Sequence, residues 1–466
     1  MGYFKMLSAI AIISGKYLLV IFAAFKVDMA WAEKFKLNKQ LVRSLTEAGF
    51  DNPKELQQKT LSRINGGQDV IAIAPEGGGK TTTLVLATLN RFKHSADNIP
   101  AALILSPDQE GVEAINERFN LLNRNKTIRI VLLHPGTGVD QQMDDLAEGA
   151  DIVIATPDRA RAIYLKLGLN LNKVELLVID DAHAIVKKGL QLPTTELSTS
   201  IGKAQRLVFT EVMHDKLAKM IDPLMHLPST VEVEEMSETQ LGVLPQMLYH
   251  VPNFGTKINL LNLFLQDVEV FTKTVVFTNT RLTAETIYKS LLRKARLSSA
   301  FIKPLSYEYP VADNVADFLR NDKLRVLLIA NELDEQVDLT DVPFIINFDL
   351  PADKEVYIKH IEIQASDEES ETIALTFATD LELDQVRRIE QATGQKMQNA
   401  DLPDELVIEK DRKEKEAEKA ARPKQVHKAE DKYTPGPAFH EKKPENAKTY
   451  NISSSKKAKM NKAKKH

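Results

Sequence analysis

The chain has 466 residues, a formal net charge of −4, 43% hydrophobic residues and 27% charged residues. At about 150 residues per domain this is two or three domains with ordinary globular cores, and the near-neutral total excludes a uniformly basic nucleic-acid binder. There is no cysteine, which excludes disulfides and thiolate metal sites and fits a reducing compartment.

Residues 1–26, "MGYFKMLSAIAIISGKYLLVIFAAFK", are apolar, with Lys16 in the middle and "AWA" following at Ala30–Ala32. Three readings compete. A signal peptide has such a start, but Lys16 splits its apolar region. A membrane span needs about 20 apolar residues, and a central lysine costs roughly 3 kcal/mol. The third reading is an over-extended start, with translation beginning at Met29. Residues 1–28 are set apart on this basis, and a cytoplasmic protein with no stable membrane partner is expected.

From residue 29 to 230, "DVIAIA", "AALILSP", "ADIVIATP", "VELLVIDDA" and "QRLVFT" alternate with helical patterns. Each run has four to six apolar residues and ends in a polar turn, as buried parallel strands do. This is a βαβ series, hence an α/β doubly wound sheet whose active residues follow the carboxyl ends of strands. Residues 231–250 are polar and acidic and read as a linker. A second series, "TKTVVFTNT", "LRVLLIAN", "VPFIINFDLP" and "ETIALTFAT", places a similar domain at 251–402, with a cleft between the two. Residues 403–466 read as a charged, disordered tail ending in "SSSKKAKMNKAKKH", which is either a solvated solubilising segment or an RNA contact.

Two turns carry chemistry. "APEGGGKTTT" follows the strand "DVIAIA" and opens a helical stretch, the context a phosphate loop requires. Gly77, Gly78 and Gly79 let backbone N–H groups turn toward phosphates, Lys80 reaches the β- and γ-phosphates, and Thr81 can bind Mg²⁺. "LLVIDDAH" puts Asp180 and Asp181 just past another strand: the first suits Mg²⁺, and the second can position an attacking water.

With these motifs in this order, the chain resembles the DEAD-box RNA helicases over nearly all of 32–403. "GFDNPKELQ" resembles the family's adenine-reading motif, with Gln57 placed to contact the base. "APEGGGKT" stands where the family has A-x-T-G-S-G-K-T, and "VIDDAH" where D-E-A-D belongs. "ATPDRA" resembles a strand end whose Thr156 and Arg159 would face RNA phosphates. "VVFTNTR" and "QVDLTDVPFIINFDLP", including Asp338, resemble motifs of the second domain. The resemblance implies two tandem RecA-like lobes, ATP and Mg²⁺ as cofactors, RNA as partner, and catalytic roles for Lys80 and Asp181.

The departures are as informative as the matches. Asp181 replaces a glutamate, and a reach shorter by about 1 Å can cost on the order of 100-fold. Ala74 replaces the first glycine, Lys54 a Thr or Ser, and Gln109 an RNA-facing arginine. Thr210–Glu211–Val212 replaces S-A-T. The adenine-stacking aromatic falls on Ala32, with Trp31 or Phe35 as substitutes. In the second domain Glu335 takes an arginine slot, and His360, Ile363 and Ser366 take three more. An arginine finger is worth about 10³–10⁵ in rate. The first expectation is therefore an RNA-binding, helicase-like scaffold of RNA or ribosome metabolism, which binds ATP and has protein partners but unwinds and hydrolyses poorly. The alternatives are an active ATP-dependent helicase that works with altered motifs or a partner's arginines, and a non-catalytic protein-interaction module.

Overall fold

Short all-apolar runs dictate the architecture. Val70–Ile73, Ala102–Leu105, Ile152–Ala155 and Leu176–Ile179 are buried along their whole length, as happens when helices cover both faces of a parallel sheet. Their residues alternate between two cores. Val70, Ala72, Ile104 and Ile154 point to one; Ile71, Ile73, Leu103 and Val153 point to the other.

A computed structural model describes residues 34–50, 52–92, 99–234, 241–294, 298–333, 337–362 and 372–410. The first sheet contains β1 (Val70–Ile73), β2 (Ala102–Leu105), β3 (Ile130–Leu133), β4 (Ile152–Ala155), β5 (Leu176–Ile179), β6 (Gln205–Thr210) and β7 (Ser229–Glu232). Their order is β3-β4-β2-β5-β6-β1-β7, and the pairs are parallel, with Val70 opposite Leu207 on one side and Ser229 on the other. The second sheet contains β8 (Gln246–His250), β9 (Thr274–Thr278), β10 (Ser299–Phe301), β11 (Val326–Ala330), β12 (Phe344–Asn347), β13 (Ile373–Ala378) and β14 (Gln398–Ala400). Its order is β10-β11-β9-β12-β13-β8-β14. Counted from its own first strand, this is the order of the first sheet again. The chain is thus two tandem RecA-like α/β lobes.

The nine predicted strands are all present as strands. Five others are not among those predicted. β3, β7, β10 and β14 lie at the sheet edges; β7 has one buried residue, and β10 and β14 have only three residues each, whereas β3 carries an apolar run, Ile130–Leu133, that pattern reading overlooks. β8 occupies the end of the expected linker at 231–250, and its burial alternates.

The expected start of the tail at residue 403 also shifts. Leu402 and Leu406 pack against the second lobe's core. Asn259 donates to the Val407 carbonyl at 2.7 Å, and the Glu409 N–H donates to Thr256 Oγ1 at 3.0 Å. The chain is therefore tied down as far as Glu409. The lysine-rich segment, like residues 1–28, lies outside the described residues. Among the described residues no helix is long and apolar enough to cross a membrane.

One buried cation organises the second lobe. Lys257, on the helix Phe254–Gln266, donates to the Phe348 carbonyl at 2.9 Å and to Glu382 at 2.7 Å. Its side chain is 2% exposed. Lys257→Ala leaves that carbonyl and a carboxylate without their cation, and is expected to destabilise the second lobe by about 3 kcal/mol. Lys257→Met, which keeps the apolar stem, is expected to cost less than the alanine variant. Denaturant titration of the two variants beside the parent checks both the loss and its order.

Candidate nucleotide site

β1 runs into the loop 74–79 and then into the helix Lys80–Arg91. Gly77 and Gly79 have φ of 80° and 91°, a left-handed backbone that glycine adopts without strain. An added Cβ at Gly79 would also stand 3.2 Å from Gln57 Nε2. Gln57 therefore packs beneath the loop, while its Oε1 accepts from the Lys54 N–H at 3.0 Å and caps the helix Glu55–Asn65. Lys54, in the Thr or Ser position, donates through Nζ to the Gly77 carbonyl.

Gln57, Gly77, Gly79, Lys80 and Thr81 line one cavity of about 690 Å³, together with Phe50, Asp181, Glu211 and Arg388. Gly78 is not among its lining residues, though it lies within the same loop. Phe35 is not the adenine-stacking aromatic: it is buried in the first lobe's core, because its neighbours Leu37 and Leu41 draw that segment inward. Phe50 is the aromatic at the cavity, with the Arg118 guanidinium 5.3 Å from its ring centre. Trp31 and Ala32 lie outside the described residues.

β5 delivers the two aspartates. Asp180 is buried, and Asp181 follows with φ 43°. Oδ1 of each is buried without a hydrogen-bond partner. Burial, then the neighbouring Asp181 charge, pushes Asp180 well above the usual carboxylate range. Burial also raises Asp181, against the pull of Lys80, whose Nζ is 3.9 Å from its Oδ1. Orphaned, mutually repelling carboxylate oxygens beside a phosphate loop are a donor set that fits a divalent cation. Among the described residues no group of three or more His, Asp or Glu could hold a metal. A Mg²⁺ ion here fits one carboxylate and the Thr81 hydroxyl, completed by water and phosphate oxygens.

The unexpected member is Glu211, just past β6 and 4% exposed. Its Oε1 accepts from Lys80 Nζ at 3.2 Å. Lys80 also donates to the carbonyls of Ala74 at 3.0 Å and Pro75 at 3.1 Å, so its three ammonium hydrogens all have acceptors. On its other side Glu211 accepts from Arg388 of the second lobe, Nε at 3.1 Å and Nη2 at 3.3 Å. Burial works to raise the Glu211 pKa, but Lys80 and Arg388 together hold it below the usual range.

Arg388 lies on the second lobe's helix Leu383–Thr393, which carries the lobe contact. Asp384 pairs with Lys187 at 3.1 Å. Arg387 donates to the backbone carbonyls of Glu211 and Val233. In sequence this pair of arginines is two charges on an amphipathic helix, with nothing to mark a lobe contact. The nearest signal is Glu211 itself, since a carboxylate at a strand end beside a phosphate loop demands a cation.

The arginine slots behave otherwise. His360 is buried, stacked on Phe277 with ring centres 3.6 Å apart, and its Nδ1 is 3.2 Å from Asn347 Oδ1. Burial pushes its pKa down to about 3, so it is neutral. Glu335, Ile363 and Ser366 lie outside the described residues. Asp338 is exposed and accepts from its neighbour Thr340.

Thr156 and Arg159 stand apart from the cavity. Thr156 stands at the N-cap position of the helix Pro157–Leu165 after β4 but makes no capping hydrogen bond, its Oγ1 being buried without a partner. Arg159 donates to the Thr137 carbonyl at 3.1 Å. Gln109, after β2, donates to Glu113 at 2.7 Å. The candidate RNA residues thus follow β2 and β4, and the candidate nucleotide residues follow β1, β5 and β6, on the two halves of one sheet edge.

The family model for the DEAD/DEAH box helicase matches residues 54–220. The chain is 25% identical to the ATP-dependent RNA helicase CshA of Listeria monocytogenes over 371 residues, 79% of this chain and 70% of that one. It is 24% identical to the ATP-dependent RNA helicase DeaD of Buchnera aphidicola over 83% of this chain and 63% of the relative. It is 26% identical to the ATP-dependent RNA helicase eIF4A of Eremothecium gossypii over 77% of this chain and 89% of the relative.

His360 sets a pH dependence. Its folded pKa is depressed to about 3, so below the unfolded value near 6.5 the unfolded chain binds a proton that the folded one does not. Stability from this group is complete above about pH 6.5 and falls as pH drops toward 3, with roughly 2 kcal/mol gone by pH 5. His360→Gln is expected to cost stability at pH 7.5 and to cost less at pH 5, measured by denaturant titration at both pH values.

Proposed function

We propose that the chain is a member of the DEAD-box family of RNA helicases, to whose ATP-dependent members it is similar, and that it binds Mg·ATP on its first lobe and RNA beside it, while hydrolysing and unwinding slowly. The observation that carries this reading is the buried Lys80–Glu211 pair at 3.2 Å. The reading is supported by a glycine-rich loop, Lys80 and Asp181 lining one cavity, in which the lysine already holds an anion.

Each residue has a task in this reading. The N–H groups of Gly77, Gly78 and Gly79 and the end of the helix Lys80–Arg91 bind phosphate oxygens. Gln57 supports the loop and borders the base end of the cavity. Asp180 and Thr81 hold Mg²⁺, which when bound neutralises charge on the phosphates. Asp181 orients the attacking water. Lys80 must exchange a carboxylate for a phosphate before it can act, and Asp181 reaches less far than a glutamate. Both changes slow turnover without abolishing binding. On the RNA side Thr156 and Arg159 bind phosphate, Gln109 adds no charge, and the lysine-rich end of the chain adds a salt-sensitive attraction. A scaffold in RNA metabolism with protein partners follows from binding without efficient unwinding.

Thermal melting with and without Mg·ATP tests the nucleotide half. At about 100 times the dissociation constant the ligand is expected to stabilise the chain by roughly 2.7 kcal/mol, with no stabilisation of Lys80→Ala. Filter binding tests the RNA half. Arg159→Ala is expected to weaken RNA binding and lower the salt slope by about one. No protection by millimolar Mg·ATP, or no RNA retention at low salt, contradicts the corresponding half.

A further inference from the structure

Among the described residues lining the phosphate-loop cavity, Arg388 alone comes from the second lobe. Its guanidinium and Lys80 Nζ grip the two sides of one carboxylate, that of Glu211. An anion held between a phosphate-loop lysine and an arginine from the opposite lobe has the place and the charge of a terminal phosphate. Two observations separate this from a fixed structural ion pair. The Arg388 side chain is 39% exposed and also lies 3.7 Å from Glu76, so it has room and a second anion within reach. The helix carrying it does not depend on that pair, because Lys187–Asp384 and the Arg387 contact with the Val233 carbonyl hold it to the first lobe. Arg388 can therefore change partners while its backbone stays in place. The backbone of Glu211 is likewise held from both sides, its carbonyl by Arg387 and its N–H by His183 Nδ1 at 3.4 Å, so the side chain can swing alone.

We propose that Arg388 is the second lobe's ligand for the terminal phosphate of a bound nucleoside triphosphate, and that Glu211 is the internal anion it holds until that phosphate arrives. The inference rests on the reading that the first lobe binds Mg·ATP. It supplies an arginine from an element outside the slots that resemble the family's, at a point where His360 cannot serve. It also makes the lobe contact sensitive to the third phosphate. A diphosphate needs only the loop and Lys80, whereas a triphosphate gains Arg388 and repels Glu211.

The test is the affinity of ATP and of ADP, each with Mg²⁺, for the full chain and for Arg388→Ala, Arg388→Lys, Glu211→Gln and Lys80→Ala. Loss of two charge-assisted hydrogen bonds predicts that Arg388→Ala weakens ATP about tenfold and ADP less than about twofold. Arg388→Lys should fall between, and Glu211→Gln should bind ATP more tightly than the parent. An unchanged ATP-to-ADP ratio in Arg388→Ala, or tighter ATP binding there, overturns the proposal and leaves Arg388 as a lobe clamp only. If Arg388→Ala fails to fold, Arg388→Lys, which keeps the charge but not the two-pronged geometry, is read by the same ratio. If the parent and Lys80→Ala alike bind neither nucleotide, the underlying reading fails, and the proposal with it, whatever the Arg388 variants do.

Discussion

A carboxylate removed from water needs cations close by, and the Glu211 side chain is almost fully buried at the end of β6. Lys80 of its own lobe and Arg388 of the other supply them. Much else follows from that one charge. Lys80 is drawn back over its own loop, onto the carbonyls of Ala74 and Pro75. The second lobe's last helix is turned so that its arginines face the first lobe. Asp180 and Asp181, crowded beside the same cluster, are left with orphaned oxygens and raised pKa values. In the family the chain resembles, a phosphate and arginines from the second lobe create such a meeting of charges; here the protein's own side chain creates it.

The repeat of one strand order in both lobes explains why such a substitution is possible. Each sheet presents the carboxyl ends of its strands at one edge, where loops can change without disturbing the core. In the first lobe that edge carries the candidate phosphate-binding residues after β1, β5 and β6 and the candidate RNA residues after β2 and β4. In the second lobe His360, in one of the slots the resemblance gives to arginine, is buried and stacks on Phe277. A buried neutral imidazole contributes packing and a hydrogen bond to Asn347 rather than charge. The second-lobe cation at the phosphate-loop cavity comes instead from the helix Leu383–Thr393.

The fold was legible wherever burial on both faces forces an unbroken apolar run, as in Val70–Ile73 or Val326–Ala330. It was illegible at β14, whose three residues are too few to make a pattern, and at β8, whose half-buried alternation resembles a polar connector. The positions of the glycine-rich loop and the aspartates at strand ends could be read because they depend on local spacing. Phe35 was misplaced, since an aromatic near the right position can equally well be core. Arg388 could not be read from sequence at all. It is 308 residues from Lys80 in the chain (388 − 80), and only the docking of the two lobes brings them to one carboxylate. Glu211 was visible as a departure, but its meaning depends on the partner it finds.

The most direct test of the account is steady-state ATP hydrolysis by the full chain, with and without structured RNA, beside Lys80→Ala. A lysine already paired with Glu211 and a shortened Asp181 predict turnover within a few-fold of the Lys80→Ala background, with little stimulation by RNA. Strong RNA-stimulated turnover that disappears in Lys80→Ala would contradict it, and would mean that Glu211 gives way so readily that the site works as a helicase motor.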